Sequence, residues 1–217
     1  MKFNIITIFP NIFESYFSES ILKRAQEKRL IKIDIHNLRD FTADKHKTVD
    51  DSPYGGGPGM VFKIEPIYKA VQKIKSKIKN SRAKVILFST RGKKLNSKIA
   101  QQMAKYDQLI LICGRYEGVD ERAAKYIADE EISVGDYTLS GGELPAMVFV
   151  EAVSRYIPGV LGKRESLEEI KGSYPVYTRP EIFKPKAKKQ KTKSWKVPKV
   201  LLSGNQKKIE EWRRADH

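Results

Sequence analysis

The chain has 217 residues, which allows one large domain or one domain with a small appendage. Lys and Arg number 42 against 26 Asp and Glu, and the net charge of +16 favours a polyanionic partner, nucleic acid before a membrane surface. The single cysteine excludes a disulfide framework and favours a reducing cytoplasm, and no apolar run approaches membrane-spanning length. The apolar N-terminus is followed by Pro10 and Asn11, which is typical of a first strand and not of a signal peptide.

Apolar periodicity predicts strands and helices in alternation along the first three quarters of the chain. The predicted strands are 2–9, 31–38, 84–89, 108–113 and 132–134, and the predicted helices are roughly 11–28, 65–79, 96–105, a short one ending near 127, and 143 to about 157. Residues 39–60 show no period. Strands separated by helices indicate an α/β fold, with a parallel sheet and helices on both faces.

Three loops are expected at the carboxyl ends of these strands, where ligands bind in such sheets. They are 89–92, 114–118 and 134–142, and each contains glycine. The last belongs to VGDYTLSGGELPAM, in which a helix is predicted to begin at Glu143 with Pro145 in its first turn. Because neither the P-loop nor the dinucleotide glycine pattern is present, this loop predicts a different polar ligand.

The character of the chain changes after Gly162. Residues 163–176 are polar without a core face, which is typical of a mobile lid or linker. The segment 184–199 contains eight lysines and no acid, and it is either a phosphate-binding arm or a solvated linker. Trp195 within it could stack on an unpaired base or anchor the linker. A small apolar strand is predicted at 200–202, followed by an N-cap at Ser203 or Asn205 and a basic helix.

Several long motifs occur together in this chain. They are DDSPYGGGPGM, GRYEGVDER, VGDYTLSGGELPAM, SRYIPGVLG, YTRP and VPKVLLSGN. With them the sequence resembles the bacterial tRNA (guanine-N1)-methyltransferase family of the knotted SPOUT superfamily, over nearly its whole length. The resemblance implies a trefoil knot at the C-terminal side of the α/β domain, formed by the three loops, and a short C-terminal helical extension. It also implies three segments: a knotted cofactor-binding catalytic domain at 1–162, a lid at 163–176, and a truncated tRNA-binding region with a lysine-rich arm at 177–217.

The activity implied by the resemblance is methyl transfer from S-adenosyl-L-methionine to N1 of guanosine 37 in tRNA. The family acts as a homodimer with each active site between subunits. The cofactor-binding residues carried over by motif, or placed near the cofactor, are Leu87, Ser89, Gly114, Tyr116, Glu117, Val134, Gly135, Asp136, Tyr137, Thr138, Leu139, Gly141 and Pro145. Magnesium dependence is also implied, although three scattered histidines and one cysteine provide no dedicated metal ligands.

Guanine N1 carries a proton, so its methylation needs a base and a cation that stabilises charge on O6. Arg155 matches the family's catalytic arginine, whereas from the sequence alone it could simply pair with Glu151 on one helix face. The family's lid aspartate corresponds to Ile170 here. Glu168 or Glu169 could therefore serve as the base, with Glu169 slightly favoured, or both could be solvated lid charges.

Other residues carry two interpretations each. Glu117, Asp120 and Asp136 could steer the cofactor, or Glu117 could pair with Arg115 and the aspartates could be turn residues. The glycine-rich stretch with Asp50, Gly55, Gly56 and Gly59 could hold guanine against bare backbone or form a hinge. Arg39, Lys45, His46 and Lys47, which precede it, suit phosphate contacts.

Two alternative functions stay open at this point. One is a knotted methyltransferase with another RNA target. The other is a catalytically weakened tRNA-binding homologue, for which Ile170 in the lid and the truncated C-terminal region are the reasons.

Overall fold

Five parallel strands form the central sheet of the first of the chain's two structural units, Met1–Gly162 and Lys163–His217. The computed structural model describes residues 1–162, 167, 172–185 and 194–215. The sheet strands are β1 (Lys2–Thr7), β2 (Lys32–Asn37), β5 (Ala83–Lys94), β6 (Gln108–Ile112) and β7 (Glu130–Ser133), and a separate antiparallel pair consists of β3 (Asp50–Asp51) and β4 (Val61–Phe62). The sheet order β2-β1-β6-β5-β7, parallel throughout, confirms the predicted α/β class.

Helices cover both faces of this sheet. They are α1 (Glu14–Phe17), α2 (Ser20–Glu27), α3 (Ile64–Lys75), α4 (Ser97–Met103), α5 (Glu121–Tyr126) and α6 (Glu143–Ser154), with 3-10 turns at Pro10–Phe13 and Leu38–Phe41. Side chains alternate across each strand, so Ile5 packs with Phe149 of α6 on one face while Ile6 packs with Ile67 of α3 on the other. The two buried layers explain why β5 and β6 read as continuous apolar runs.

The single helix predicted over 11–28 is wrong. The structure has a 3-10 turn and two short helices there, because Ser20 has a φ of 51°, a left-handed conformation that interrupts the helical backbone. The helix predicted over 65–79 also ends early, at Lys75.

Strand β5 continues past the turn expected after residue 89. Its first part pairs with β7 through Phe88 and Ile132, and Lys93 then pairs with the same Ile132 after a bulge. Gly92 lies in this bulge, where an added Cβ would stand 2.5 Å from the backbone of Glu131. Only glycine fits that approach, and residues 89–92 lie between the two pairings, at the carboxyl end of the regular ladder.

The second unit contains an antiparallel pair, β8 (Ile182–Phe183) and β9 (Trp195–Lys196), and two helices, α7 (Lys199–Leu202) and α8 (Gln206–Arg214). The strand expected at 200–202 is wrong, since these residues form α7. Asn205 caps α8 by accepting a hydrogen bond from the Lys208 backbone N–H at 3.2 Å, as one of the two predicted caps. Trp195 packs against Phe183 with ring centroids 5.5 Å apart, so this tryptophan anchors the β8–β9 pair.

Candidate active site

A cavity of about 460 Å³ opens at the carboxyl ends of β5, β6 and β7. Its walls are the β5 bulge, the loop after β6 and the loop between β7 and α6, the three segments that the sequence placed together. Its size is in the range of small-molecule sites. The cavity therefore lies where parallel sheets bind ligands.

The loop after β6 and the loop before α6 are joined through their backbones. The Gly142 N–H donates to the Gly114 carbonyl at 2.9 Å, and Arg115 and Gly141 form an antiparallel bridge. A Cβ on Gly142 would stand 2.7 Å from Cα of Cys113. At Gly141 it would overlap the side chain of Arg115. These two glycines are thus required for the two loops to approach each other, besides whatever they contribute to ligand binding.

The predicted cofactor residues gather around this cavity with one exception. The lining includes Leu87, Ser89, Gly114, Tyr116, Glu117, Val134, Gly135, Tyr137, Thr138, Leu139, Gly141 and Pro145. Asp136 is not part of the lining, and its carboxylate instead accepts a hydrogen bond from the ammonium of Lys94. Asp136 therefore ties the loop to β5.

Glu143, the first residue of α6, is a buried carboxylate that the sequence did not single out as functional. Only 1% of it is exposed, and it accepts hydrogen bonds from Thr7 Oγ1 and Arg115 Nε, both at 2.8 Å. Arg115 in turn lies over the ring of Phe9 at 4.6 Å. The proposed pairing of Arg115 with Glu117 is wrong, because Glu143 takes that place. The sequence feature that could have identified Glu143 is its position, an acidic residue at the start of an otherwise apolar helix.

The lone cysteine lies beside this network. Burial, with a smaller contribution from Glu143, raises the pKa of the Cys113 thiol well above its ordinary value, and Arg115 opposes this only in part. The thiol therefore stays protonated and does not act as a nucleophile at neutral pH.

The glycine-rich stretch reaches the mouth of the cavity through its last residues. A Cβ on Gly59 would meet the Glu117 side chain at 2.5 Å, and the Glu117 N–H donates to the Met60 carbonyl at 3.1 Å. Gly55 and Gly56 have positive φ and open space around their Cα atoms, and Asp50 pairs with Phe62 in the β3–β4 ladder. The structure thus brings Gly59 to the cavity and leaves Gly55 and Gly56 exposed beyond it.

Two acidic side chains at or near the cavity differ in their surroundings, since Asp120 has partners in the protein and Glu131 keeps a free oxygen among the described residues. Asp120 caps α5 and forms an ion pair with Arg122 at 2.6 Å. The hydrogen bond from Arg122 is the main reason that the pKa of the Asp120 carboxyl lies below its ordinary value. Glu131 lines the cavity, and within the described ranges its buried Oε2 has no hydrogen-bond partner, although Arg91 lies 4.0 Å away. Sequence reasoning missed Glu131, since nothing in its neighbourhood distinguishes it from Glu130.

Arg155 lies just beyond the C-terminal end of α6, and it does not line the cavity. Among the described residues it pairs with Glu151, at 4.0 Å, so the pairing on one helix face exists but is loose. Pro145 lines the cavity ten residues earlier, a rise of about 15 Å along a helix. Glu168, Glu169 and Ile170 lie outside the described residues.

Over the parts of the chain that the structure describes, no helix is long and apolar enough to cross a membrane. The same parts contain no group of three or more His, Cys, Asp or Glu side chains that could hold a metal ion.

Comparison with known proteins identifies the family. The family model described as tRNA (guanine-1)-methyltransferase TrmD matches residues 1–217. The chain belongs to this family. A tRNA (guanine-N(1)-)-methyltransferase of Dictyoglomus turgidum is 52% identical over 100% of this chain and 84% of the relative, and one of Clostridioides difficile is 49% identical over 100% of this chain and 92% of the relative.

A solved structure is similar along almost the same length. The crystal structure of a tRNA (m1G37) methyltransferase from Aquifex aeolicus has a TM-score of 0.79 and 42% identity, and it covers 98% of this chain and 87% of that one. The family resemblance predicted from the motifs is thereby confirmed, and the three loops around the cavity belong to a tRNA (guanine-1)-methyltransferase fold.

Proposed function

We propose that this protein transfers a methyl group from S-adenosyl-L-methionine to N1 of guanosine 37 in tRNA. The observation that carries the proposal is the three-loop cavity at the carboxyl ends of β5, β6 and β7, in a chain that the family model matches from end to end. The name of the Aquifex relative gives the position of the target base.

The cavity suits this methyl donor in its charge as well as its size. Arg91 and Arg115 line it too, but Arg91 is paired with Glu121 at 2.6 Å and Arg115 with Glu143, which leaves the carboxylates of Glu117 and Glu131 as its excess charge. Among the described residues, the buried Oε2 of Glu131 has no hydrogen-bond partner and can accept one. A sulfonium cation is favoured by such a lining. When bound, S-adenosyl-L-methionine supplies an electrophilic methyl group, whose bond to sulfur breaks as the bond to guanine N1 forms.

The protein's own residues must manage one proton and one developing charge. Glu169, or Glu168 beside it in the lid, removes the proton from guanine N1, and Arg155 stabilises the negative charge that builds on O6. A guanidinium suits that position because it stays charged and can donate two N–H groups to one acceptor region. The remaining protein groups position the reactants.

Arg155 supports the proposal of a homodimer with active sites between subunits. The helix α6 separates Arg155 from its own cavity by about 15 Å, so its side chain would serve the cavity of a partner. On α6, Leu144 and Val148 are exposed by about half and lie one turn apart. Together with the exposed Phe9 and Ile12 they form an apolar face that a second copy would cover.

The knot and the substrate contacts are part of the same proposal. Support for the knot comes from the close interlocking of Gly142 with Gly114 and of Gly92 with Glu131. Asp50, Gly55, Gly56 and Gly59 would receive the guanine, with Gly59 already against the cavity residue Glu117. Residues 177–217 would contact tRNA, for which the aromatic pair of Tyr177 and Trp212 and the basic residues of α8 are suited. Magnesium would act without a dedicated protein site.

The deciding experiment is methyl incorporation into tRNA transcripts that carry guanosine or adenosine at position 37. Incorporation into the guanosine transcript alone is expected. Incorporation into both would overturn the assigned target and favour another RNA site. Cofactor binding without incorporation into either would favour the catalytically weakened homologue.

A further inference from the structure

A second cavity, of about 280 Å³, lies at the edge of the sheet formed by β2. It is bounded by β1, β2, the 3-10 turn Leu38–Phe41 and the last turns of α3. Strand β2 is three strand spacings, about 14 Å, from β5 at the first cavity. None of the residues that line this second cavity takes part in the methyl transfer proposed above.

The floor of this cavity is polar. Asn4 is 1% exposed, and its amide donates to Gln108 Oε1 at 3.4 Å while its carbonyl oxygen lies 3.3 Å from His36 Nε2. Neighbouring side chains on this face of β1 and β6 are apolar, including Ile6 and Ile110. A buried amide on such a face is costly unless it is hydrogen-bonded, and it keeps the floor suited to a polar occupant.

The two carboxylates that line this cavity, Asp34 and Asp40, are each paired with lysine. Asp34 is held by two ammonium groups, Lys2 at 2.8 Å and Lys32 at 3.2 Å, and Asp40 pairs with Lys47 at 3.5 Å. Burial alone would raise the pKa of Asp34, but these two lysines lower it, so its carboxylate is fully ionised and neutralised.

Two further cations line the cavity, Lys73 in the last turn of α3 and Lys77 in the turn just after the helix. Among the residues that the structure describes, neither has a carboxylate oxygen within 4.0 Å. Lys73 instead lies over the ring of Phe41 at 5.4 Å. The rim therefore presents two ammonium groups without counter-charge above a polar floor.

We propose that this cavity binds a phosphate group, with Lys73 and Lys77 as its cationic ligands and the protonated His36 ring as a further donor. Tetrahedral oxyanions form short charge-assisted hydrogen bonds with such groups. The phosphate could belong to a small free anion or to an RNA backbone, and the chemistry of recognition is the same.

His36 makes the site dependent on pH. Burial is the main cause that lowers the pKa of His36, and the positive charges of Lys2, Lys77 and Lys73 lower it further. The negative charge of Asp34 opposes them. Asp40 also lines the cavity, from the 3-10 turn. A bound dianion would counter the lysines and raise that pKa. By linkage, the anion binds more tightly as the pH falls through the pKa of His36.

The test is an NMR titration of the intact protein with labelled histidines. Sulfate is the first probe, since its charge is constant near neutral pH, and chloride at equal ionic strength is the reference. We expect a saturable shift of the His36 ring signals and a raised pKa with sulfate only. Lys73→Ala with Lys77→Ala should weaken sulfate binding at least about tenfold, the scale of lost charge-assisted contacts.

The matched control is Lys75→Ala with Lys79→Ala, which removes equal charge from exposed positions outside the cavity. It should change sulfate affinity by less than about twofold. An unsaturable shift, an equal shift with chloride, or equal binding by both double variants would overturn the proposal. As a second variant, His36→Gln should bind sulfate with no pH dependence between about 5 and 7, and an unchanged dependence would contradict the role of the ring.

Two further arms separate the sources of the phosphate. Inorganic phosphate that competes with sulfate, while an unmodified tRNA transcript leaves the His36 signals unchanged, identifies a free anion as the ligand. A transcript that shifts the same signals and is displaced by sulfate identifies an RNA phosphate. If neither phosphate nor the transcript reaches His36, the site does not bind phosphate, and the methyl transfer proposal is unaffected.

Discussion

Arg115 Nε donates to the carboxylate of Glu143 at 2.8 Å and joins the loop after β6 to the first turn of α6. Arg115 lines the cavity, and Glu143, which follows the lining residue Gly142, is also held by Thr7 at the end of β1. The shape of the cavity therefore depends on a buried ion pair that spans two loops. Since Glu143 is almost fully buried, its charge is tolerated only with these partners.

Glu143→Gln should loosen this connection. The amide oxygen can still accept from Thr7, but Arg115 would lose its counter-charge. We expect a loss of about 2–3 kcal/mol in the free energy of unfolding, below the range for fully buried pairs because the Arg115 side chain keeps 21% exposure. Affinity for S-adenosylhomocysteine should fall about tenfold. Denaturation and calorimetry check these values, with Glu14→Gln at an exposed position as control, and unchanged affinity would show that the pair does not shape the cavity.

Mixed dimers test whether Arg155 acts in the partner's cavity. Thr138→Trp should fill the cavity from an exposed lining position, and Arg155→Ala should remove the guanidinium while leaving cofactor binding intact. Each homodimer should be inactive. A heterodimer of the two variants retains one cavity with an Arg155 from the partner, and it should recover up to half of the wild-type rate. If Arg155 served its own cavity, the heterodimer would be inactive as well, since no cavity would then have both elements.

The sequence predicted the sheet and the position of the cavity because both follow from local patterns. Apolar runs between helices define parallel strands, and the three glycine loops follow the ends of β5, β6 and β7. It failed where long-range contacts decide the backbone. The continuation of β5 beyond Ser89 depends on Ile132 pairing twice, and a polar stretch cannot reveal that Lys93 has a partner 39 residues away.

The candidate site was predictable in its residues more than in its connections. Motifs identified Gly114, Tyr116 and Gly141, and the structure brings all of them to one cavity. They gave no reason to pair Arg115 with Glu143 or to remove Asp136 from the lining. Those contacts depend on the directions in which side chains point where two loops meet, and no periodic sequence pattern encodes these directions.

The exposed apolar face on α6 predicts the dimer interface. Leu144→Asp should place a charge in the centre of that interface. The dimer should be weaker because it loses buried apolar area and must remove water from a carboxylate. We expect the dissociation constant of the dimer to rise at least about hundredfold, measured by sedimentation at micromolar concentrations. Tyr68→Asp, at a similarly exposed residue of α3, is the control. A variant at Leu144 that stays dimeric would place the interface elsewhere.

The carboxylate that accepts the guanine proton is predicted to be in the lid. Glu169→Gln should lower kcat by about a hundredfold or more, the usual contribution of a general base, while the affinity for tRNA changes little. If Glu168 is the base instead, Glu168→Gln should give that result. The variant with both substitutions tests whether either residue is the base or whether both are only solvated charges. Glu165→Gln removes a third carboxylate of the same segment and should be neutral. Full activity of the double variant would exclude both residues.

The ion pair between Glu130 and Lys84 predicts a dependence of stability on pH. Their atoms are 2.5 Å apart, and Lys93 also approaches Glu130, at 3.1 Å. Burial alone would raise the pKa of Glu130, but the two lysines lower it below its ordinary value near 4.5. Likewise the pKa of Lys84 is raised, since its burial is outweighed by the partner carboxylate.

A lowered carboxyl pKa stabilises the folded state above the unfolded pKa, and this contribution is lost as the pH falls through the folded value. Glu130→Gln should therefore cost about 1–2 kcal/mol at pH 7, between the values for exposed and buried pairs, as the side chains are 12% and 20% exposed. The difference from wild type should shrink as the pH falls from the ordinary value near 4.5 through the lower folded pKa, because the wild-type carboxylate then becomes protonated too. Urea denaturation at a fixed protein concentration measures it, with the exposed Glu27→Gln as control. A difference that stays constant over this range would mean that the cost of the substitution arises from packing and not from charge.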